Sequence, residues 1–227
     1  MKEKPLPYLA MALIAFLFLG LELLVLLIES LFYGTTDLFG LILEQRGIYP
    51  LLIHWSATCV IWVIGAWVLY ARAKRKGFNI FENKSDAPIL NWIIVVVLLA
   101  VSVISSYITW DMRFKPIAEF TGMANRVGEQ AVFIFTAQYI YYLVESVLFL
   151  AIVVFGQKFG ELVFKKNNIP WGGILCGLTW GLAHILTQNM LTGIYSAVFA
   201  VIYGVVYLLL KKNVRYTYPV IALMFMF

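Results

Sequence analysis

Charge is scarce in this chain. Only 13% of its 227 residues are Asp, Glu, Lys or Arg, against 63% that are hydrophobic. A soluble domain of this length cannot bury so much apolar surface, which excludes the soluble globular classes. Cysteine is almost missing. Cys59 and Cys176 lie in separate apolar stretches, which excludes a disulfide framework or a CxxC site and leaves two small buried hydrophobes. Histidine is limited to His54 and His184, and no HExxH motif occurs. Catalytic zinc generally takes three protein ligands plus water, so no metal and no cofactor are expected. His184 with Glu145 and Glu22 is the one set that could hold a metal in principle. There is no low-complexity tract and no internal repeat.

What remains is long apolar runs. Six long ones and a short one cover roughly 7–33, 49–71, 88–110, 130–156, 171–188, 190–210 and 216–227. About 20 apolar residues span a hydrocarbon core, and backbone in lipid must bond internally, leaving helices or a closed barrel. The hydrophobicity is continuous and not alternating, which excludes the barrel. The expected fold is all-α, a polytopic transmembrane bundle of about six to seven helices. The first run is too long for a cleavable signal peptide and carries Glu22 and Glu29. The last run, about 18 Å at 1.5 Å per residue, is too short to cross.

The net charge of +5 raises the question of nucleic acid. With the N-terminus in the cytoplasm, 13 of the 17 Lys and Arg residues fall inside and 4 outside. The positive-inside rule and attraction to anionic lipids account for that charge, and no nucleic-acid partner is expected. The expected partners are membrane lipids and a peptide or membrane protein. Two loops are long: 72–87 inside, and 111–129 outside with a short interfacial helix. Residues 156–173 alternate apolar and charged side chains, a pattern suited to a helix lying in the interface. Plain Leu/Ile/Val spans give way after residue 129 to helices with tyrosines, glycines and isolated polar groups. The chain therefore divides into a supporting region, 1–129, and a functional core, 130–227.

Ionisable residues inside membrane helices are costly and point to function. The candidates are Glu22, Glu29, His54, Glu145 and His184. Glu145 lies about 15 Å from an expected helix end near 155, and His184 about 20 Å beyond Trp171. On consecutive antiparallel helices these two fall within about a turn of each other, near the bilayer centre, with Glu22 at similar depth. Glu29 and His54 fall near the outer boundary, where water reaches, and are set aside. Gly173, Gly177 and Gly181 form a small-xxx-small ridge, with Cys176, Trp180 and His184 as a neighbouring stripe, so His184 points into the bundle. Residue chemistry leaves three readings open. The pair is a hydrogen bond joining helices, a water-activating pair with Glu145 as base and His184 orienting the water, or part of a proton pathway through Glu22.

The sequence around these residues resembles the CAAX protease and bacteriocin-processing family of intramembrane endopeptidases. "TWGLAHI" matches its Phe/Trp-x-x-x-His motif through Trp180 and His184. "VESVLFL" matches the Glu-Glu-x-x-x-Arg motif at Glu145, with Ser146 and Leu150 in place of the second glutamate and the arginine. "PVIALMFMF" has the approach to the third motif, His-x-x-x-Asn/Asp, with Leu223 or Met224 where histidine would stand. The resemblance covers roughly 130–227. It implies peptide hydrolysis by Glu145 and His184 in an integral membrane protein, in a bacterial plasma membrane. Oxyanion support, costing about 10²–10³ in rate when lost, would fall to Asn189, Gln188, Tyr141 or Tyr142. A relative that keeps the fold and binds peptides or partner proteins as a scaffold, without cleaving them, is the alternative.

Overall fold

The computed structural model describes residues 3–34, 47–82 and 85–227. Lys2, Arg46 and Lys84, which enter the charge count above, lie outside the described residues. Eight helices are present among those described: α1 (Leu6–Tyr33), α2 (Tyr49–Arg75), α3 (Ile89–Thr109), α4 (Lys115–Val127), α5 (Ala131–Phe164), α6 (Trp171–Thr187), α7 (Met190–Leu209) and α8 (Val214–Met226). No strand occurs among the described residues. Five segments are long and apolar enough to cross a membrane: α1, α2, α3, the stretch Lys115–Phe164 that contains α4 and α5, and α7. The helices α6 and α8 are shorter, so the fifth apolar run is not a full-length span. The chain is an all-α, multi-pass membrane protein.

The long helix α5 is the axis of the bundle. Leu148, Phe149, Ile152, Val153 and Phe155 along its middle are completely buried, and α1, α2, α4, α6 and α8 pack on it. Helices that are apolar all round belong in such a position. By contrast α1, α2 and α3 turn Leu17, Leu24, Leu31, Val60, Trp67, Val96 and Ile104 outward. These are the lipid-facing stripes of a bundle whose driving force is packing and hydrogen bonding, not water exclusion. Side-chain bonds to backbone carbonyls join helices distant in sequence, among them Trp62 to Phe18 (2.8 Å), Asn91 to Leu209 (2.7 Å) and Ser102 to Met224 (2.9 Å).

Residues 156–164 complete α5 and do not form a separate interfacial helix. The reason is Gln157, buried within the hairpin. Its amide donates to Glu161 (2.8 Å) and to the Ile169 carbonyl (3.0 Å), and its oxygen accepts from the Gly172 N–H (3.2 Å). Its polar groups are thus spent inside the connection between α5 and α6. The charged side chains beyond it pair with the ends of other helices: Lys158 with Glu3 (2.6 Å) and Lys212 with Glu161 (2.5 Å). The Lys158 and Tyr8 hydrogen bonds hold the Glu3 carboxyl below its ordinary range. The helix expected within 111–129 is present as α4, antiparallel to the start of α5.

The glycine ridge behaves as its spacing implies. Gly173, Gly177 and Gly181 lie against α7 so closely that a Cβ on Gly173 would sit 2.7 Å from the Ala200 carbonyl oxygen. A Cβ on Gly204 would sit 2.6 Å from the Gly173 Cα. The regular α-helix does not run through this ridge. Residues Gly177–Gly181 form a π-helical turn between the α-helical pieces Trp171–Cys176 and Leu182–Thr187.

Candidate functional site

Helices α5 and α6 run antiparallel from their shared connection. Cys176 Sγ lies 3.8 Å from the Phe149 carbonyl, and one turn further the Trp180 indole N–H donates to the Glu145 carboxylate at 2.9 Å. Because α5 continues to Phe164 and does not end near 155, Glu145 lies about 28 Å from that end at 1.5 Å per residue. It lies about 21 Å from the Ala131 end, so the site sits near the middle of this helix.

Trp180 organises both predicted residues. While its indole holds Glu145, its backbone carbonyl lies 2.8 Å from His184 Nδ1. A carbonyl only accepts, so Nδ1 carries the proton and a neutral His184 presents Nε2 as the acceptor. The two rings meet edge to face at 4.8 Å between centroids. Glu145 is buried and His184 half-buried. No hydrogen bond or ion pair joins them directly; they share Trp180. Trp180 itself lies within the π turn, and such insertions occur disproportionately at functional sites.

Cys176 and Trp180 thus face α5, the glycine ridge faces α7, and His184 stands half-buried against Trp180. Phe149 and Phe225 complete the packing around the Trp180 ring, at 4.8 and 5.7 Å.

The supporting candidates divide. Tyr141, one turn before Glu145, donates to Glu22 at 2.6 Å, bringing a second carboxylate from α1 to the same region. Tyr142 donates to Glu119 of α4 (3.0 Å) and belongs to another cluster, with Tyr139 (2.9 Å to Glu119) and Gln138 (3.2 Å). Ser146 donates to the Leu143 carbonyl within its own helix (2.7 Å). Asn189 is exposed and caps α7, accepting from the Thr192 N–H (2.9 Å) and hydroxyl (3.1 Å). Gln188 is exposed at the end of α6.

Glu29 and His54 do not face water. They are 8% and 6% exposed, and His54 Nδ1 lies 2.7 Å from Glu29 while Nε2 lies 3.4 Å from Glu22. Burial follows from pairing, since α1 and α2 each cover the polar group that the other would leave in lipid. The signal was available: Glu22 and Glu29 are two helical turns apart, on one face of α1.

Lys115 is a further half-buried charged group. Its ammonium donates to the Phe225 carbonyl (3.0 Å) and lies 4.9 Å from the Tyr142 ring centroid. Among the described residues, no group of three or more His, Cys, Asp or Glu side chains is placed to hold a metal ion. Comparison of the chain with protein-family models, with curated proteins and with solved structures gave no match.

Proposed function

We propose that this chain is an intramembrane endopeptidase of the CAAX protease and bacteriocin-processing type. The observation that carries the reading is Trp180, which holds the Glu145 carboxylate with its indole and fixes the His184 tautomer with its carbonyl. Glu145 takes a proton from a water molecule while His184 Nε2 orients it. The water oxygen then attacks a peptide carbonyl. When the C–N bond breaks, Glu145 returns the proton to the departing amine. The substrate is a peptide or membrane-protein segment that enters between the helices from the bilayer.

The orientation proposed is N-terminus cytoplasmic, in a bacterial plasma membrane. Support comes from the basic side chains gathered at one end of the bundle: Lys158 beside Glu3, and Lys212 beside Glu161.

A second reading, a non-cleaving scaffold or peptide-binding relative, is favoured by the engagement of Ser146 within its helix and Asn189 in its cap. One experiment separates the two. The full chain is reconstituted in liposomes with a library of fluorogenic transmembrane peptides, and cleavage is followed by mass spectrometry. The peptidase reading expects products whose rate falls by about 10² or more in Glu145→Gln and His184→Ala, as for other general-base losses. Peptide binding without any product would favour the scaffold.

A further inference from the structure

The polar groups shared by α1 and α2 extend beyond the catalytic reading. Glu29 lies near the last turn of α1, before Gly34 closes the helix. Its carboxylate meets His54 Nδ1 at 2.7 Å, the opposite ring nitrogen meets Glu22 at 3.4 Å, and Glu22 accepts from Tyr141 at 2.6 Å. These four side chains come from three helices and form one unbroken hydrogen-bonded row. It begins at the Gly34 end of α1 and finishes one turn from Glu145. The Glu22 side chain is 32% exposed, whereas those of His54 and Glu29 are 8% and 11% exposed. The row thus runs from the partly exposed Glu22 through a buried imidazole to a carboxylate near the helix end.

An interhelical clamp would need only one carboxylate on His54. The second matters because a ring with an acceptor on each nitrogen can take a proton on one side and release another on the opposite side. We propose that Glu29, His54, Glu22 and Tyr141 form a proton path between the Gly34 end of α1 and the region of Glu145. A proton on Glu29 passes to His54 Nδ1, and the proton on Nε2 passes to the Glu22 carboxylate. One proton has then moved from Glu29 to Glu22, and the imidazole is left as its other tautomer. Tyr141, whose hydroxyl is bonded to Glu22, lies at the Glu145 end of the row.

The path goes beyond the peptidase reading and is tested without it. The full chain in lipid nanodiscs is subjected to a pH jump, and the carboxylic-acid carbonyl stretch of Glu22 is followed by time-resolved infrared spectroscopy. The band is assigned by its loss in Glu22→Gln. Glu29→Gln and His54→Gln keep hydrogen-bonding groups of suitable size but cannot pass the proton on, and each is expected to slow relaxation by about tenfold or more. Unchanged relaxation in Glu29→Gln overturns the path. Since the chain has only two histidines, the ¹⁵N-histidine signals of His184 report whether each variant is folded. Should His54→Gln fail that check, Glu29→Gln alone decides. Slowed relaxation without peptide hydrolysis leaves the path standing and removes the peptidase reading; hydrolysis with unchanged relaxation does the reverse.

Discussion

Trp180 is the residue on which the candidate site depends, because it serves Glu145 and His184 by different atoms. Trp180→Phe keeps the ring between Phe149 and Phe225 and keeps the carbonyl on His184, but deletes the N–H to Glu145. A buried acceptor that loses its donor costs about 1–3 kcal/mol. The variant should therefore unfold at lower temperature or denaturant, measurable by circular dichroism in detergent. If Glu145 acts on water, hydrolysis should fall as well, while His184→Ala should reduce hydrolysis with a smaller loss of stability. Equal stability of wild type and Trp180→Phe would show that the indole bond contributes nothing. The pairing of Trp180 with His184 was legible from their spacing of four in "TWGLAHI". The link from Trp180 to Glu145 was not, because the register between two helices is set by packing at Gly156, Gly160 and Trp171, which no single-helix pattern records.

At the scale of helices, apolar runs locate elements well and boundaries less well. The starts of α1, α2, α3, α5 and α7 follow the composition closely. The end of α5 does not, since Gln157, Lys158 and Glu161 read as loop or interface until their partners are known. Gln157 bonds back to Ile169 and Gly172, and the two charges pair with Glu3 and Lys212. The π turn at Gly177–Gly181 was equally illegible, because its extra residue leaves the small-residue repeat intact. Burial of Glu29 and His54 is illegible for a related reason: depth along one helix carries no record of a partner on another. The glycine ridge gives the sharpest prediction at this scale. Gly204→Leu forces a side chain into the Gly173 backbone and should destabilise the α6–α7 contact by about 1–3 kcal/mol or more. Gly20→Leu on α1, where a Cβ meets nothing within 4 Å, should be close to neutral. Thermal unfolding of the two variants side by side makes the comparison.

The molecule as a whole has two unlike ends. One gathers basic side chains and ion pairs around Glu3, Lys158 and Lys212. The other holds Lys115, Glu119, Glu29 and His54. Orientation follows from this asymmetry and is directly measurable. A membrane-impermeant maleimide applied to intact cells should label a cysteine placed at Glu129, between α4 and α5. It should label one at Lys166, between α5 and α6, only after permeabilisation. The reverse pattern would place the basic end outside and overturn the proposed orientation. The all-α, multi-pass architecture was legible from the sequence at this scale, since continuous apolar runs allow little else. Which helices surround which was not, because α5 differs from its neighbours in what covers it and not in its own hydrophobicity.

The pairing of α1 with α2 also bears on how the chain is made. A lone Glu22 or Glu29 at depth in a single helix, or a lone His54 in the next, would each be costly to leave facing lipid. Together they satisfy one another. The first helix is therefore poorly suited to partition into the bilayer before the second emerges from the ribosome, and the two are expected to leave the translocon as a hairpin. His54 is in this sense a biogenesis residue, needed before any later helix exists to surround it.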